Sequence, residues 1–393
     1  MKIVERVARV DQSKCVGCKN CERHCPTDAI KVTPGVMPGY VPPCGTACPA
    51  GTDVQGYIAL AGAGRYEDAY RLIRQSNPFP SVCGRICNHP CQAACNRNDL
   101  DESVGIRDIK RFVADKAFEN GMPVVEKKRK SNGKKIAVIG AGPSGLSCAY
   151  YLQLSGYSVE VFESESVAGG VLAYGIPEYR LPKAVLNRDI QAIEATGVQI
   201  HLNTTVGEDV SFDELYKKFH AVYVSTGTQL SRKANIPGED MPGVYHGLDF
   251  LKAVNLGKPV EIGKKVAVIG GGNTAIDAAR TARRLGAEVT IVYRRQRNDM
   301  PCEERELLEA FEEGVRVLDL AAPVEVVGEG KVQGLKCVRM VPGVKDEKLR
   351  RSTTKTEEEF VVEVDNIIVA VSQYSDFPFI NKDEVVVSKA GRI

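Results

Sequence analysis

Ten of the chain's 13 cysteines fall in its first 95 residues, at spacings that suit metal chemistry. Cys15, Cys18, Cys21 and Cys25 run as C-x2-C-x2-C-x3-C, with Pro26 next. Thiolates so spaced wrap one face of an iron–sulfur cube, and the amides of the loop can hydrogen-bond its sulfides. Structural zinc is the competing chemistry, but it ordinarily uses two cysteine pairs rather than this run. A second group follows: Cys44 and Cys48 before Pro49, then Cys83, Cys87, Cys91 and Cys95 at every fourth position. Cysteines four apart could line the buried face of one helix. Gly84 and Pro90 inside the run favour a cluster-binding loop, because proline interrupts a helix interior. Ten cysteines supply two all-cysteine clusters with two thiols to spare.

A second kind of chemistry is written between Lys134 and Leu172, a stretch that reads as buried strand, glycine turn, helix and second strand. Gly140, Gly142 and Gly145, with Pro143 and Ser144 opening the helix, have the G-x-G-x-x-G form of a dinucleotide phosphate loop. Its first glycine makes the turn, the second admits a pyrophosphate, and the third lets helix pack on strand. Glu163 ends the second strand, where a carboxylate can accept a ribose 2'-hydroxyl. The pattern recurs further along the chain, from Lys264 to Arg295, and aligns without a gap. Gly270, Gly271, Gly272, Asn273, Thr274 and Ala275 form this second loop. Where the first copy ends in Glu163, the second continues with Arg294 and Arg295. A carboxylate suits the free ribose of FAD and repels a 2'-phosphate, whereas guanidiniums bind phosphate through charge-assisted bonds. The first copy is therefore expected to hold FAD and the second NADP(H).

The elements that must carry these groups fit a chain of 393 residues, long enough for two or three domains. The fold class expected is α/β: two nested Rossmann-like domains, preceded by an α-helical iron–sulfur domain and a short ferredoxin-like segment. Expected boundaries are 1–35 for that segment, 36–125 for the helical domain and 126–135 for a polar, basic linker. By resemblance to flavoproteins that insert the NADP domain between two halves of the FAD domain, the first FAD half is expected at 136–255, the NADP domain at 256–372 and the start of a second FAD half at 373–393. Within the helical domain, Thr52 and Asp53 can cap a helix from Val54, and Arg65 to Gln75 is amphipathic. Between Ser103 and Asn120, the residues Ile106, Ile109, Phe112, Val113 and Ala117 share one face. A net charge of +2 argues for neither nucleic acid nor an acidic surface. No apolar run approaches a membrane span, so a cytoplasmic protein is expected. Cys148, Cys302 and Cys337 are isolated, and no nucleophile triad or paired-carboxylate pattern appears. No catalytic side chain is assigned, because hydride transfer is the cofactors' chemistry.

The first run has the spacing of bacterial ferredoxins. From about residue 40 onward, PPCGTACPAGTDVQGYIALAGAGRYEDAYRLIRQSNPFPSVCGRICNHPCQAAC and the paired nucleotide loops resemble the NADPH-dependent glutamate synthase small subunit. The same helical module occurs in dihydropyrimidine dehydrogenase and in ferredoxin:NADP transhydrogenases. The resemblance implies two [4Fe-4S] clusters in that module, one of which is expected to be lost or rebuilt with Cys83 or the ferredoxin-like cysteines. The chain then carries two clusters or three, a third needing non-cysteine ligands. It also marks departures. An extra cysteine pair of the family is replaced by Val36 and Gly39, and the position of a non-cysteine ligand holds Lys110. The resemblance further implies that Ala168 to Leu172, with Gly170 and Leu172, and Arg180 face the flavin. It assigns Thr226 and Gly227 to the turn that follows a buried strand beside it.

The function so implied is an NADPH-dependent oxidoreductase that passes electrons between NADPH, FAD and [4Fe-4S] clusters to a partner subunit or ferredoxin, as part of a hetero-oligomer. The alternative is a non-catalytic iron–sulfur conduit or scaffold with an empty or partner-completed flavin site. A self-contained substrate reductase is a third, for which no separate substrate pocket is legible. The run 383–393 resembles the lead-in to the segment that closes the FAD domain in relatives, so a truncated second FAD half is expected.

Overall fold

A computed structural model describes residues 42–119, 121, 128–345 and 351–380. The ferredoxin-like cysteines Cys15, Cys18, Cys21 and Cys25 and the run 383–393 lie outside these residues. The chain divides into two compact units, Met1–Arg129 with Ala184–Gly197, and Lys130–Lys183 with Val198–Ile393. No helix of the described residues is long and apolar enough to cross a membrane.

The first unit is helical. Helices α1 (Pro43–Thr46), α2 (Val54–Gly62), α3 (Tyr66–Arg74), α4 (Pro80–Ile86), α5 (Pro90–Ala93) and α6 (Ile106–Glu119) follow in order. Asp53 caps α2 as its sequence suggests, accepting the Gly56 amide at 2.8 Å. The four-spaced cysteine run is broken rather than helical. Helix α4 ends at Ile86, Cys87 is extended, His89 is left-handed at φ 41°, and Pro90 starts the next turn. Helix α6 buries Ile106, Lys110, Val113, Ala114 and Ala117, the stripe of an amphipathic helix. Phe112, expected on that face, is 45% exposed and meets the edge of Tyr66 instead. The buried place goes to Lys110, which is 6% exposed. Burying Tyr57, Tyr70, Ile73, Ile106 and Val113 together supplies the core, at roughly 1.5–3 kcal/mol per large side chain. Helices α4 and α6 pack so closely that a Cβ on Gly84 would stand 2.7 Å from the Arg111 Cα.

The same unit takes in a helix from much later in the chain, Lys183–Glu194, through buried polar contacts. Asp189 on that helix is 0% exposed, and its Oδ2 accepts the Val82 amide in the first turn of α4 at 3.0 Å. Arg74, equally buried, donates to the Ala192 carbonyl at 3.3 Å. Burial pushes the Asp189 carboxyl up to about 7, against bonds from Val82 and Ser81 and the Arg74 charge that pull it down.

The second unit holds two parallel sheets built from the repeat. Strand β1 (Lys135–Ile139), helix α7 (Pro143–Leu154) and strand β2 (Ser158–Phe162) form the first βαβ arch. Strands β3 (Gln199–His201) and β4 (Ala221–Val224) complete a sheet of order β3-β2-β1-β4. After β5 (Leu230–Ser231) and β6 (Val244–His246), helix α8 (Gly247–Asn255) leads to the second copy. That copy is β7 (Lys265–Ile269), α9 (Asn273–Arg284) and β8 (Glu288–Val292), and all three keep one constant offset from their counterparts at both ends. Even the pattern of burial, position by position, is the same in β1 and β7, and in β2 and β8. Helix α10 (Glu304–Glu312) and β9 (Arg316–Leu318) follow. Strands β10 (Ala321–Val327), β11 (Gly334–Lys345) and β12 (Arg351–Glu363) make an antiparallel sheet, and β13 (Asn366–Val369) returns to give the order β6-β13-β7-β8-β9. Strand β14 (Gln373–Tyr374) pairs with β5.

Two outcomes test this packing. Gly84→Val forces α4 off α6 and is expected to destabilise the first unit by about 1–3 kcal/mol, measured by urea unfolding. Asp189→Asn is expected to flatten the pH dependence of stability. Because the folded carboxyl titrates near 7 and the unfolded one near 4, the native state alone holds the proton between those values. Wild-type stability should therefore fall as pH rises from about 4 to 7. The variant, with nothing to deprotonate and an acceptor still present for Val82, should not show that fall.

Candidate functional site

At the first glycine loop, β1 ends at Ile139 and Gly140 turns the chain with φ +100°. A side chain there would strike the Ser225 carbonyl oxygen, 2.5 Å from an added Cβ. Gly145 is tighter still, since its Cβ would lie 2.0 Å from the Gly140 oxygen. Gly142 has nothing within 4 Å of its own added Cβ. It is open on the side where a ligand would sit, as close backbone approach to a phosphate requires. Helix α7 has Gly142 as its N-cap, Pro143 and Ser144 in its first turn, and no side-chain cap. Its leading amides are therefore left for an anion. The loop Ala168–Leu172 closes over this turn. The Gly169 amide donates to the Ala141 oxygen at 2.8 Å, and an added Cβ on Gly170 would stand 2.9 Å from the Gly142 Cα. Leu172 is half-buried, and its carbonyl receives the Lys183 ammonium at 3.4 Å.

Glu163 is 3% exposed and lies beside the turn. One carboxylate oxygen accepts the Ala141 amide at 2.7 Å, and the other accepts the Glu165 amide at 2.9 Å. These bonds fix the carboxylate while leaving lone pairs for a hydroxyl donor. A cavity of 290 Å³ opens here, lined by Gly140, Glu163, Thr205, Thr226, Gly227 and Phe379, among others. The Thr226 hydroxyl is buried without a partner among the described residues, an orphaned polar atom at the mouth of the glycine turn. Open Gly142, uncapped α7, the fixed carboxylate and this hydroxyl together fit a dinucleotide whose ribose and pyrophosphate would satisfy them. Arg180 is engaged elsewhere. It binds both Asp277 oxygens at 2.8 and 2.7 Å and pairs with Glu306 at 3.0 Å, on helices α9 and α10.

The second loop repeats the geometry with different chemistry. Gly270 has φ +143° and an added Cβ would meet the Ala370 oxygen at 2.3 Å, while Gly272 is open. Helix α9 starts uncapped from Gly272. The Asn273 side chain accepts the Glu303 amide at 2.8 Å, the Thr274 hydroxyl lies 3.4 Å from the Gln373 amide nitrogen, and Ala275 is fully buried. Gly271 is spanned by the ring of Tyr293, 2.5 Å from its added Cβ. Past β8, Arg294 is exposed and Arg295 donates its Nε to the Arg351 carbonyl at 2.7 Å. The position matching Glu163 is held by Tyr293.

Cys44, Cys48 and Cys91 share the core of Tyr57, whose hydroxyl is held protonated by burial and by the nearby thiols of Cys91, Cys48, Cys44 and Cys87. Burial pushes the Cys44, Cys83 and Cys91 thiols up, with Cys95 adding to it at Cys44 and Cys87 at Cys83 and Cys91. Burial also opposes ionisation of Cys48, but its contacts with Thr52, the Ala50 amide and the Lys110 charge outweigh it and lower its pKa. The His89 amide reaches the Cys87 sulfur at 3.4 Å. Among the described residues, no three His, Cys, Asp or Glu side chains converge on one metal ion. An amide aimed at sulfur, as at Cys87, is a donor that favours a thiolate ligand. Cys302 and Cys337, pushed up to about 11 by burial, are inert core thiols.

Comparison with known proteins agrees with this geometry. Residues 134–393 match the family of pyridine nucleotide-disulphide oxidoreductases. Residues 37–122 match dihydropyrimidine dehydrogenase domain II with its 4Fe-4S cluster, and residues 8–31 a 4Fe-4S binding domain. The subunit beta of NADPH-Fe(3+) oxidoreductase from Geobacter sulfurreducens is 43% identical over 351 residues, covering 87% of this chain and 52% of that one. The subunit beta of NADP(+)-dependent formate dehydrogenase from Moorella thermoacetica is 42% identical, over 91% of this chain and 54% of that one. The chain thus spans about half the length of these two relatives. The small chain of NADPH glutamate synthase from Escherichia coli is 38% identical over 370 residues, covering 90% of this chain and 78% of the relative. FprA from Mycobacterium tuberculosis, solved with NADPH, shares the fold over 63% of this chain and 72% of its own, at a TM-score of 0.55 and 23% identity. With its duplicated glycine loops and its cysteine-rich helical module, the chain belongs to the glutamate synthase small-chain family of pyridine nucleotide-disulphide oxidoreductases.

Proposed function

We propose that the protein is an NADPH-linked electron-transfer subunit carrying FAD and [4Fe-4S] clusters. The observation that carries this is the contrast between two loops of matching geometry, one ending in the buried carboxylate of Glu163 and the other in Arg294 and Arg295. In this reading Gly140, Gly142, Pro143, Ser144, Gly145, Gly170 and Gly227 cradle FAD. Glu163 and Thr226 hold its ribose and pyrophosphate region. Gly270, Gly271, Gly272, Asn273, Thr274 and Ala275 cradle NADP(H), and the arginine pair takes its 2'-phosphate. Cys44, Cys48, Cys83, Cys87, Cys91 and Cys95 hold clusters in the helical unit, and Cys15, Cys18, Cys21 and Cys25 hold another. Flavin, when bound, supplies the exchange between paired and single electrons, and the clusters supply single-electron transfer. The protein's part is placement: amides for phosphates, charge for nucleotide choice, and N–H donors that favour thiolate over thiol.

The relatives named as beta subunits and small chains support a hetero-oligomer in which a catalytic subunit, or a ferredoxin, exchanges electrons with this chain in the cytoplasm. The boundaries set out from the sequence are part of the same proposal. The Arg180 pairing with Asp277 and Glu306 supports a role in setting the loop 174–183 against helix α9, with any flavin contact made from that anchored position.

Anaerobically reconstituted protein is expected to contain FAD, iron and sulfide, to lose flavin absorbance on adding NADPH, and to develop a reduced-cluster EPR signal. Protein that does neither overturns the proposal. Protein with clusters but no extractable flavin supports the conduit instead. Replacing both Arg294 and Arg295 with alanine should weaken NADPH binding at least about tenfold, since a charged hydrogen bond contributes roughly 1.5–3 kcal/mol. NADH binding should change little, and equal losses for both nucleotides would remove the 2'-phosphate role.

A further inference from the structure

The second nucleotide loop ends in a circuit of contacts that extends beyond the βαβ unit. Arg295 donates its Nε to the carbonyl of Arg351, the first residue of β12, 56 positions along the chain. The Arg351 side chain is braced in turn, with Nε on Asp299 Oδ2 at 3.2 Å and Nη1 on the Gly343 oxygen at 3.3 Å. Asp299 is nearly buried, its side chain 7% exposed, and its main-chain oxygen accepts the Tyr293 hydroxyl at 2.8 Å. The Tyr293 ring presses on Gly271 in the glycine loop. The circuit therefore runs from loop to strand end, out to the β11–β12 hairpin, and back.

Two physical consequences follow for a phosphate at this strand end. Holding the Arg295 Nε on a main-chain oxygen restricts a long side chain that would otherwise lose its rotamer freedom on binding. Its Nη groups have no other partner among the described residues. Asp299, shortly beyond Arg295 in the chain, would repel an arriving dianion, and the Arg351 guanidinium neutralises it. Arg351 thus both positions the phosphate-binding arginine and cancels an opposing charge close to it.

We propose that the β11–β12 hairpin, through Arg351, is a specificity-determining wall of the 2'-phosphate site, with Arg351 acting as a positioning residue for Arg295. The inference rests on the assignment of the second loop to NADP(H).

The test is calorimetric binding of 2',5'-ADP and 5'-AMP to the full-length protein, which needs no turnover. Wild type should prefer 2',5'-ADP. Arg351→Ala should reduce that preference by about tenfold, the size of one charged hydrogen bond, while leaving 5'-AMP affinity unchanged. Arg351→Lys, which keeps the charge against Asp299, should retain part of the preference. Asp299→Asn added to Arg351→Ala should restore part of it. If wild type shows no preference, the NADP(H) assignment itself fails. If wild type prefers 2',5'-ADP and Arg294→Ala with Arg295→Ala abolishes the preference, but Arg351→Ala leaves it intact, the assignment stands and the hairpin's role is overturned. Should Arg351→Ala lose 5'-AMP binding as well, Arg351→Gln, which keeps length and polarity, decides. An unchanged preference in Arg351→Gln overturns the role, and a reduced one supports it.

Discussion

The nucleotide-binding unit depends on one steric constraint, repeated twice: the chain must turn from strand to helix with its backbone against a neighbouring carbonyl. At Gly140 and Gly270 that carbonyl belongs to Ser225 and Ala370, each at the end of the next parallel strand. Any Cβ would collide, so the position admits only glycine. Because the turn is tight, the helix starts beside the strand ends with its first amides uncapped. Everything chemical in the unit follows from those unsatisfied donors: the open second glycine, the group chosen at the end of the second strand, and the threonine hydroxyl left bare beside it. The scaffold is common to both copies, and what distinguishes them is the side chains set at its rim.

Much of this is legible in the sequence because it is local. A glycine loop, its flanking strand and the acid or arginines after the second strand all lie within one short βαβ stretch, and the gapless repeat carries one reading onto the other. The broken cysteine run is legible for the same reason, since Gly84 and Pro90 sit inside it. What escapes depends on residues far apart in the chain. Arg351 reaches Arg295 only because a long hairpin folds back, and a polar β-strand rich in threonine and glutamate gives no hint of it. From the sequence Arg180 looks free for a cofactor, but its partners Asp277 and Glu306 lie far along the chain on ordinary-looking helices. Periodicity alone places Phe112 in the core. Lys110 takes the buried place because its stem packs by Tyr57, 5.8 Å from ring centre to ammonium, among thiols whose charged form it stabilises.

The helical unit works by a different balance. Its core is small, and Tyr57, Cys91, Cys44 and Cys48 share it, so the same side chains that fill space surround the thiols. Amides from Ala50, Thr52 and His89 point at sulfur, which favours the charged form and offsets the desolvation that burial imposes. Lys110 adds a buried ammonium from helix α6 to that field. Packing and charge therefore act on the same few atoms.

The helix Lys183–Glu194 carries one more implication, for the order in which the protein is made. From Ala184 onward it belongs to the first unit, yet it is encoded after β1, α7 and β2 of the second. A ribosome adding about 5–20 residues each second needs several seconds to pass from the end of α6 to Asp189. Until then, the first turn of α4 has no carboxylate for the Val82 amide, and the cysteine-bearing unit is incomplete. Its maturation thus waits on synthesis of half a nucleotide fold, so the unit that would carry the clusters closes only after the chain has committed to the unit that would feed them.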